Sequence, residues 1–282
     1  MAAADSLKDF PSCTTLKYSL PFPHVLHVQF ASNKKNTMTR AFWSELTTLF
    51  AYIGERTDIV RAVVFSSAEE IFTAGLDLNE FAIDFQSEGV DPARKGNTIR
   101  NMALKLQKPF DIFEQIPQPI IAAVHGACVG GGVDLICAAD VRVASEKTFF
   151  TIKEVDIGIV ADLGTLQRMT KIVGNSSKIR EWSYTGRNVS STEAMSVGLL
   201  SCVQPDKNAT VAWALDLAQQ IAKKSPVAIL GIKKNLIYSR DHSVPDALDY
   251  VATWNGFAVL TEDVAKSFTA TLTKKPPVYS KL

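Results

Sequence analysis

Apolar and polar positions in this chain follow two periods, and the change from one to the other lays out its elements. VLHVQFA (25–31) and VRAVVFSS (60–67) are short β-branched runs, the pattern of strands. Between them, TRAFWSELTTLFAYIGE (39–55) repeats its apolar residues at helical spacing behind a threonine able to cap the first turn. This is a strand–helix–strand unit. A polar stretch, 84–98, follows FTAGLDLNEF; then come a helix-like segment and the strand PIIAAVHG (119–126), introduced by prolines. GVDLICAAD reads as a short buried helix and VRVASEKTFFT as one or two strands. From Gly164 onward the pattern is mainly helical: GTLQRMTKIVG, SSKIREWSYTG and SSTEAMSVG each begin with a small or capping residue and end near glycine. In TVAWALDLAQQIAKKS, Val211, Leu215, Ala218 and Ile221 or Ala222 mark one apolar face, and 226–274 continues helically. Strands with helical crossovers followed by helices predict an α/β core with a helical appendage, and no Ser/Gly linker divides the two.

Composition narrows the partners. At 282 residues and 46% hydrophobic, the chain is long enough to bury a core without staples. Thirty basic against 29 acidic side chains leave a net charge of +1, so no nucleic-acid partner is indicated. Cys13, Cys128, Cys137 and Cys202 lie far apart, which disfavours a disulfide framework and a zinc site. The N-terminus lacks the pattern of a secretory signal, and no apolar run approaches the ~18 residues of a membrane span. Sequons at Asn175, Asn188 and Asn208 are therefore taken as chance. The last three residues, Ser280-Lys281-Leu282, match the peroxisomal address, and the import receptor that reads it is an expected partner.

The stretch HGACVGGGVDLI (125–136) sets three glycines and an aspartate in an apolar run. Glycine weakens helices and strands alike, so the triplet needs another reason. A P-loop would require G-K-[ST] where Gly132 is followed by Val133-Asp134, and the spacing is a poor match to G-x-G-x-x-G. Two readings stay open: a close helix–strand crossing, or backbone N–H groups brought against an oxygen that becomes negative during a reaction. The carboxylates favour the second. Asp134 has apolar flanks, and TIKEVDIGIVADLGT adds Glu154, Asp156 and Asp162 in another largely apolar segment. A desolvated carboxylate has its pKa raised toward neutrality, the state general acid–base catalysis requires. Asp156 is discounted as solvated or capping. His125 reads as a packed core histidine, Asp140 as the partner of a cation such as Arg142, and Lys153 as a solvated charge.

FTAGLDL (72–78), PIIAAVHGACVGGGVDLICAADVRVAS (119–145) and TFFTIKEVDIGIVADLGTLQRM (148–169) resemble the signature blocks of the crotonase, or enoyl-CoA hydratase/isomerase, superfamily. The resemblance implies a crotonase-like spiral of β-β-α units over 1–200. It also implies a helical C-terminal trimerisation region over 201–282, in a homotrimer or dimer of trimers. An acyl-CoA thioester would bind with its oxygen between the N–H groups of Leu76 and Gly131. Thr73, Ala74, Gly75, Leu76, Asp77 and Gly131 are the implied substrate-binding residues. Hydratases typically carry two glutamates; here the first position is Asp134, Glu154 is kept, and Asp162 is extra. That set, with LIYSRDHSV (236–244) and the terminal tripeptide, resembles the Δ3,5-Δ2,4-dienoyl-CoA isomerase branch. It implies that Glu154 takes a proton from C2 of a 3,5-dienoyl-CoA and Asp162 delivers one at C6, with Asp134 orienting a dry site. No metal or redox cofactor is implied, CoA being part of the substrate. Water addition to a 2-enoyl-CoA is the alternative, and an RNA-binding homologue without catalysis is a more distant one. The polar stretch 84–98 is expected to act as a lid.

Overall fold

The computed structural model describes residues 7–82 and 91–282. Its strands are β1 (Leu16–Phe22), β2 (Val25–Phe30), β3 (Ala62–Ser67), β4 (Ile120–Val124), β5 (Ala127–Val129), β6 (Val141–Ser145), β7 (Phe149–Thr151), β8 (Val189–Ser190) and β9 (Cys202–Gln204). Six form one sheet in the order β1-β2-β3-β4-β6-β9, parallel except for the β1–β2 pair. β5, β7 and β8 form a second. From β4 to β7 the chain therefore visits the two sheets alternately, one strand in each per turn of a spiral. β1, β8 and β9 are not announced by the sequence pattern, because they are partly exposed or only two or three residues long.

The helices are α1 (Arg40–Glu55), α2 (Pro92–Gln115), α3 (Gly131–Ala138), α4 (Thr165–Ile172), α5 (Ser176–Thr185), α6 (Ser191–Ser196), α7 (Lys207–Ala222), α8 (Pro226–Tyr238), α9 (Val244–Ala258) and α10 (Glu262–Thr273). Thr39 caps α1 by accepting the Phe42 N–H, as the pattern predicts. α2 starts earlier than its apolar spacing suggests. Asp91 accepts the Arg94 N–H at 3.0 Å and Pro92 occupies the first turn, so capping begins a helix whose opening turns are polar all round. Residues 92–98 of the expected lid are thus helical, and 84–90 lie outside the described residues.

Alternation along the parallel strands divides the core. Val63 and Phe65 of β3, with Ile120 and Ala122 of β4, face the main cluster beneath α1 and α2. Ala62, Val64, Ile121 and Ala123 face the opposite side, which α7 covers. The stripe of α7 fully buried there is Thr210, Ala214, Ala218 and Ala222, at strict i+4 spacing. Of the expected face, Ala218 and Ala222 belong to this stripe, while Val211, Leu215 and Ile221 flank it half-buried: small side chains let the helix lie close to the sheet. Residues 202–222, within the helical C-terminal region by sequence, belong to this sheet layer.

α8, α9 and α10 form a separate layer, and its most buried tie to the core is an ammonium on α8. Lys233 on α8 is buried and donates to the Phe113 and Gln118 carbonyls at 2.6 and 2.9 Å and to Asp140 at 2.9 Å. Asp140 therefore pairs with Lys233 rather than Arg142. The Arg142 guanidinium instead satisfies the carbonyls of Ile136, Ala139 and Leu199 around the end of α3. Large apolar side chains of this layer stay exposed, Leu248 61%, Phe268 68% and Leu272 86%, and Phe268 lines an open groove with Ile232, Leu236 and Val259.

Candidate active site

The glycine triplet lies where β5 turns into α3, and each glycine has its own steric reason. Gly130 has φ +52° and donates its N–H to Thr151; a Cβ on it would lie 3.2 Å from Glu154 Oε1. A Cβ on Gly131 would lie 2.9 Å from Met38 Sδ, and one on Gly132 would collide with Thr73 Cγ2. Gly132 therefore serves a close crossing, while Gly130 brings the backbone against a carboxylate. The close-crossing reading of the triplet thus holds at Gly132.

The FTAGLDL turn packs on this junction. Gly75 has φ +88°, and its Cβ position is 3.0 Å from the Val129 carbonyl. Thr73 bridges the turn to β5, its N–H going to Ala127 and its carbonyl receiving the Val129 N–H. Its hydroxyl donates to the Asn36 carbonyl at 2.5 Å and accepts the Gly75 N–H at 3.0 Å. Asp77 caps the helical turn Leu78–Phe81 and accepts the Thr37 hydroxyl at 2.8 Å. The side chains of Thr73 and Asp77, expected at a substrate, are thus engaged within the fold, and Ala74 donates its N–H to Lys35. Leu76 differs. Its neighbours' N–H groups at 74, 75 and 77 all find acceptors, whereas the Leu76 N–H meets none among the described residues. The Gly131 N–H, opening α3 where no intrahelical acceptor exists, is likewise without one.

Three carboxylates gather beside these amides. Asp134, in the first turn of α3, is fully buried, and its Oδ1 accepts the Thr165 N–H at 2.6 Å. Burial pushes its pKa up to about 6 against the pull of that hydrogen bond, and the negative charge of Asp162 adds to the rise. Glu154 opens the 3-10 turn Glu154–Ile157; burial first, then the charges of Asp134 and Asp162, push it up to about 7. Asp162 lies just before α4 and is the solvent-facing member, raised by partial burial. The Asp134 Oδ2 and Glu154 Oε2 atoms are buried with no hydrogen-bond partner among the described residues. Such atoms are costly to leave unpaired, and they are the groups free to meet a ligand. The site is dry at Asp134 and open at Asp162.

The remaining candidates fall outside it. Asp156 pairs with Lys153 at the surface. His125 is buried with Nε2 2.7 Å from the Glu69 carbonyl, a packed core histidine whose pKa burial lowers. Sequence reasoning missed a polar group beneath Asp162. Gln107 Nε2 donates to the Asp162 carbonyl at 2.6 Å. Arg168, on α4, reaches the Leu163 carbonyl at 3.3 Å, Asp111 at 2.5 Å and Glu114 at 3.2 Å. Glu114 also takes Arg240 at 2.5 Å; although burial opposes its charge, Arg240 and Arg168 hold its pKa below the usual range. The available signal was the spacing of Gln107, Asp111 and Glu114, one face of α2.

With this geometry in hand, comparison places the chain among known proteins. The family described as enoyl-CoA hydratase/isomerase matches residues 23–281. The mitochondrial Delta(3,5)-Delta(2,4)-dienoyl-CoA isomerase of Rattus norvegicus is 49% identical over 89% of this chain and 77% of its own length. The peroxisomal enzyme of that name from Arabidopsis thaliana is 40% identical over 88% of this chain and 89% of its own. Among solved structures, an enoyl-CoA hydratase from Bacillus anthracis superposes with a TM-score of 0.84 at 27% identity, covering 94% of this chain and 99% of that one.

Proposed function

The chain belongs to the enoyl-CoA hydratase/isomerase family, and we propose that it is a Δ3,5-Δ2,4-dienoyl-CoA isomerase of unsaturated fatty-acid oxidation. The observation that carries this reading is the gathering of three carboxylates, rather than a pair, beside two unpartnered N–H groups. The substrate's thioester oxygen would accept from Leu76 and Gly131 as it becomes an enolate, each such donor being worth ~2.7–4 kcal/mol. Glu154 takes the C2 proton, the electron pair runs along the conjugated chain, and Asp162 supplies the proton that forms the new C6–H bond. One C–H bond breaks, one forms, and no electrons are gained or lost. The reaction as written draws on no cofactor beyond the CoA of the substrate.

The burial order supports these roles. Glu154, raised to about 7, is half ionised near neutrality and basic enough to accept a carbon-bound proton. Asp162, facing solvent, can regain its proton from water after each turnover, and a substrate covering it would raise its pKa further. The unpaired oxygen of Asp134 is buried beside Glu154, whose ionisation its charge disfavours. We expect kcat/KM to rise with pH through about 7 as Glu154 ionises.

The test follows the absorbance of the conjugated 2,4-dienoyl thioester formed from a 3,5-dienoyl-CoA. Asp162→Asn should lower that rate by ~10²–10⁴-fold while the chain stays folded. A wild-type protein that forms no diene but adds water to a 2-enoyl-CoA would overturn the assignment in favour of a hydratase.

The open apolar surface of α8–α10 supports self-association as a homotrimer or a dimer of trimers. Ser280-Lys281-Leu282 supports a peroxisomal destination, as in the Arabidopsis relative, rather than the mitochondrial one named for the rat protein. An N-terminally tagged chain should accumulate in peroxisomes and lose that distribution when Leu282 is deleted. Mitochondrial accumulation with or without Leu282 would refute it.

A further inference from the structure

Asp162 sits on a segment with little structure of its own. Gly158 and Gly164 bracket it with φ +76° and +131°, and Val160 is 69% exposed. From Val160 to Leu163, the backbone's hydrogen bonds to described residues are two, both accepted by carbonyls: Asp162 from Gln107 and Leu163 from Arg168. Both donors are braced by the same helix face. Gln107, Asp111 and Glu114 recur at i, i+4 and i+7 along α2, and Asp111 and Glu114 grip the Arg168 guanidinium, whose side chain is only 12% exposed. The guanidinium passes through the space a Cβ on Gly164 would fill, so that glycine admits the arginine to the turn.

We propose that Gln107 and Arg168 are positioning residues that hold the 160–164 turn against α2 so that the Asp162 carboxyl meets the reacting end of the substrate distant from the thioester. The inference rests on the isomerase reading above, in which Asp162 is the acid at C6. Neither residue touches Asp134 or Glu154 through a hydrogen bond, and the Thr165–Asp134 bond anchors only the far side of the turn. Loosening the two clamps therefore separates the two half-reactions. Proton abstraction at C2 by Glu154 persists, and proton delivery at C6 fails.

That separation is measurable. The purified full-length protein is incubated with a 3,5-dienoyl-CoA in D2O, and two rates are followed: diene absorbance, and deuterium entering C2 of recovered substrate by mass spectrometry. With wild type, diene formation competes with return to substrate. In Arg168→Met and Gln107→Leu, diene formation should fall about 10–100-fold with KM within about threefold, the scale of a roughly 1 Å misplacement. Deuterium entry should continue near the wild-type rate. Arg168→Lys, which keeps the charge but loses the planar fork, should fall between. Gln107→Leu provides the answer should Arg168→Met fold poorly, because Gln107 makes one hydrogen bond and carries no charge.

Equal loss of exchange and diene in both variants would overturn the proposal, showing general support of the fold or of Glu154. So would variants that form the diene at the wild-type rate. A wild type that forms no diene at all would instead refute the isomerase reading, and the two failures are distinguishable in the same experiment.

Discussion

Asp134 shows what a site carboxylate costs the residue that carries it. Its side chain is fully buried, one oxygen held by the Thr165 N–H and the other unpaired among the described residues. A native pKa raised from 3.8 to about 6 means that the folded state binds this proton more tightly than the unfolded chain does. The stabilisation is complete below pH ~3.8 and lost as pH climbs through about 6. Asp134→Asn keeps an acceptor for Thr165 and removes the ionisation. It should therefore stabilise the protein above pH 6, by an order-of-magnitude ~3 kcal/mol, while abolishing most isomerase activity. Urea unfolding at pH 4.5 and pH 8 checks the sign. A gain of equal size at both would rule out the ionisation account.

At the scale of elements, what was legible in the sequence is what depends on near neighbours. β2, β3 and β4 stand out because one parallel sheet buries them on both faces, and α1 because a cap precedes its apolar period. The first turns of α2 carry no apolar period, since they face solvent, and only Asp91-Pro92 marks their start. The face of α7 was legible at Ala218 and Ala222 but placed one residue late at Val211 and Leu215, because bulk there was taken as the sign of burial, whereas a helix lying close over a sheet selects small residues. Of the site, the triplet and the carboxylates were readable because charge and glycine are conspicuous in apolar runs. The supports of Asp162 were not. Gln107 and Asp162 are 55 residues apart, and only the tertiary fold brings them together. The partner of Asp140 was misjudged for the same reason, Lys233 lying 93 residues away.

Over the whole molecule, the layer of α8–α10 has one side fastened to the core and the other open. The open groove lined by Ile232, Leu236, Val259 and Phe268, with Leu248 and Leu272 exposed on the same layer, holds more apolar surface than isolated residues explain, and it predicts a trimer or hexamer in solution. Light scattering across a dilution series should give three or six times the chain mass of 30.8 kDa, with replacement of Leu248 and Phe268 by glutamate yielding the monomer. A wild-type monomer at all concentrations would count against it. Glu114 makes that dilution series informative about chemistry as well. It binds Arg168 beneath the Asp162 turn and Arg240 at the end of α8, so the open outer layer and the Asp162 turn share a common anchor. Glu154, by contrast, rests against the glycine triplet, within the spiral core. On the proposed mechanism, a chain whose outer layer slackens would forfeit its acid before its base. Its failure would be quiet: substrate trading hydrogen with water, turn after turn, and nothing new leaving the site.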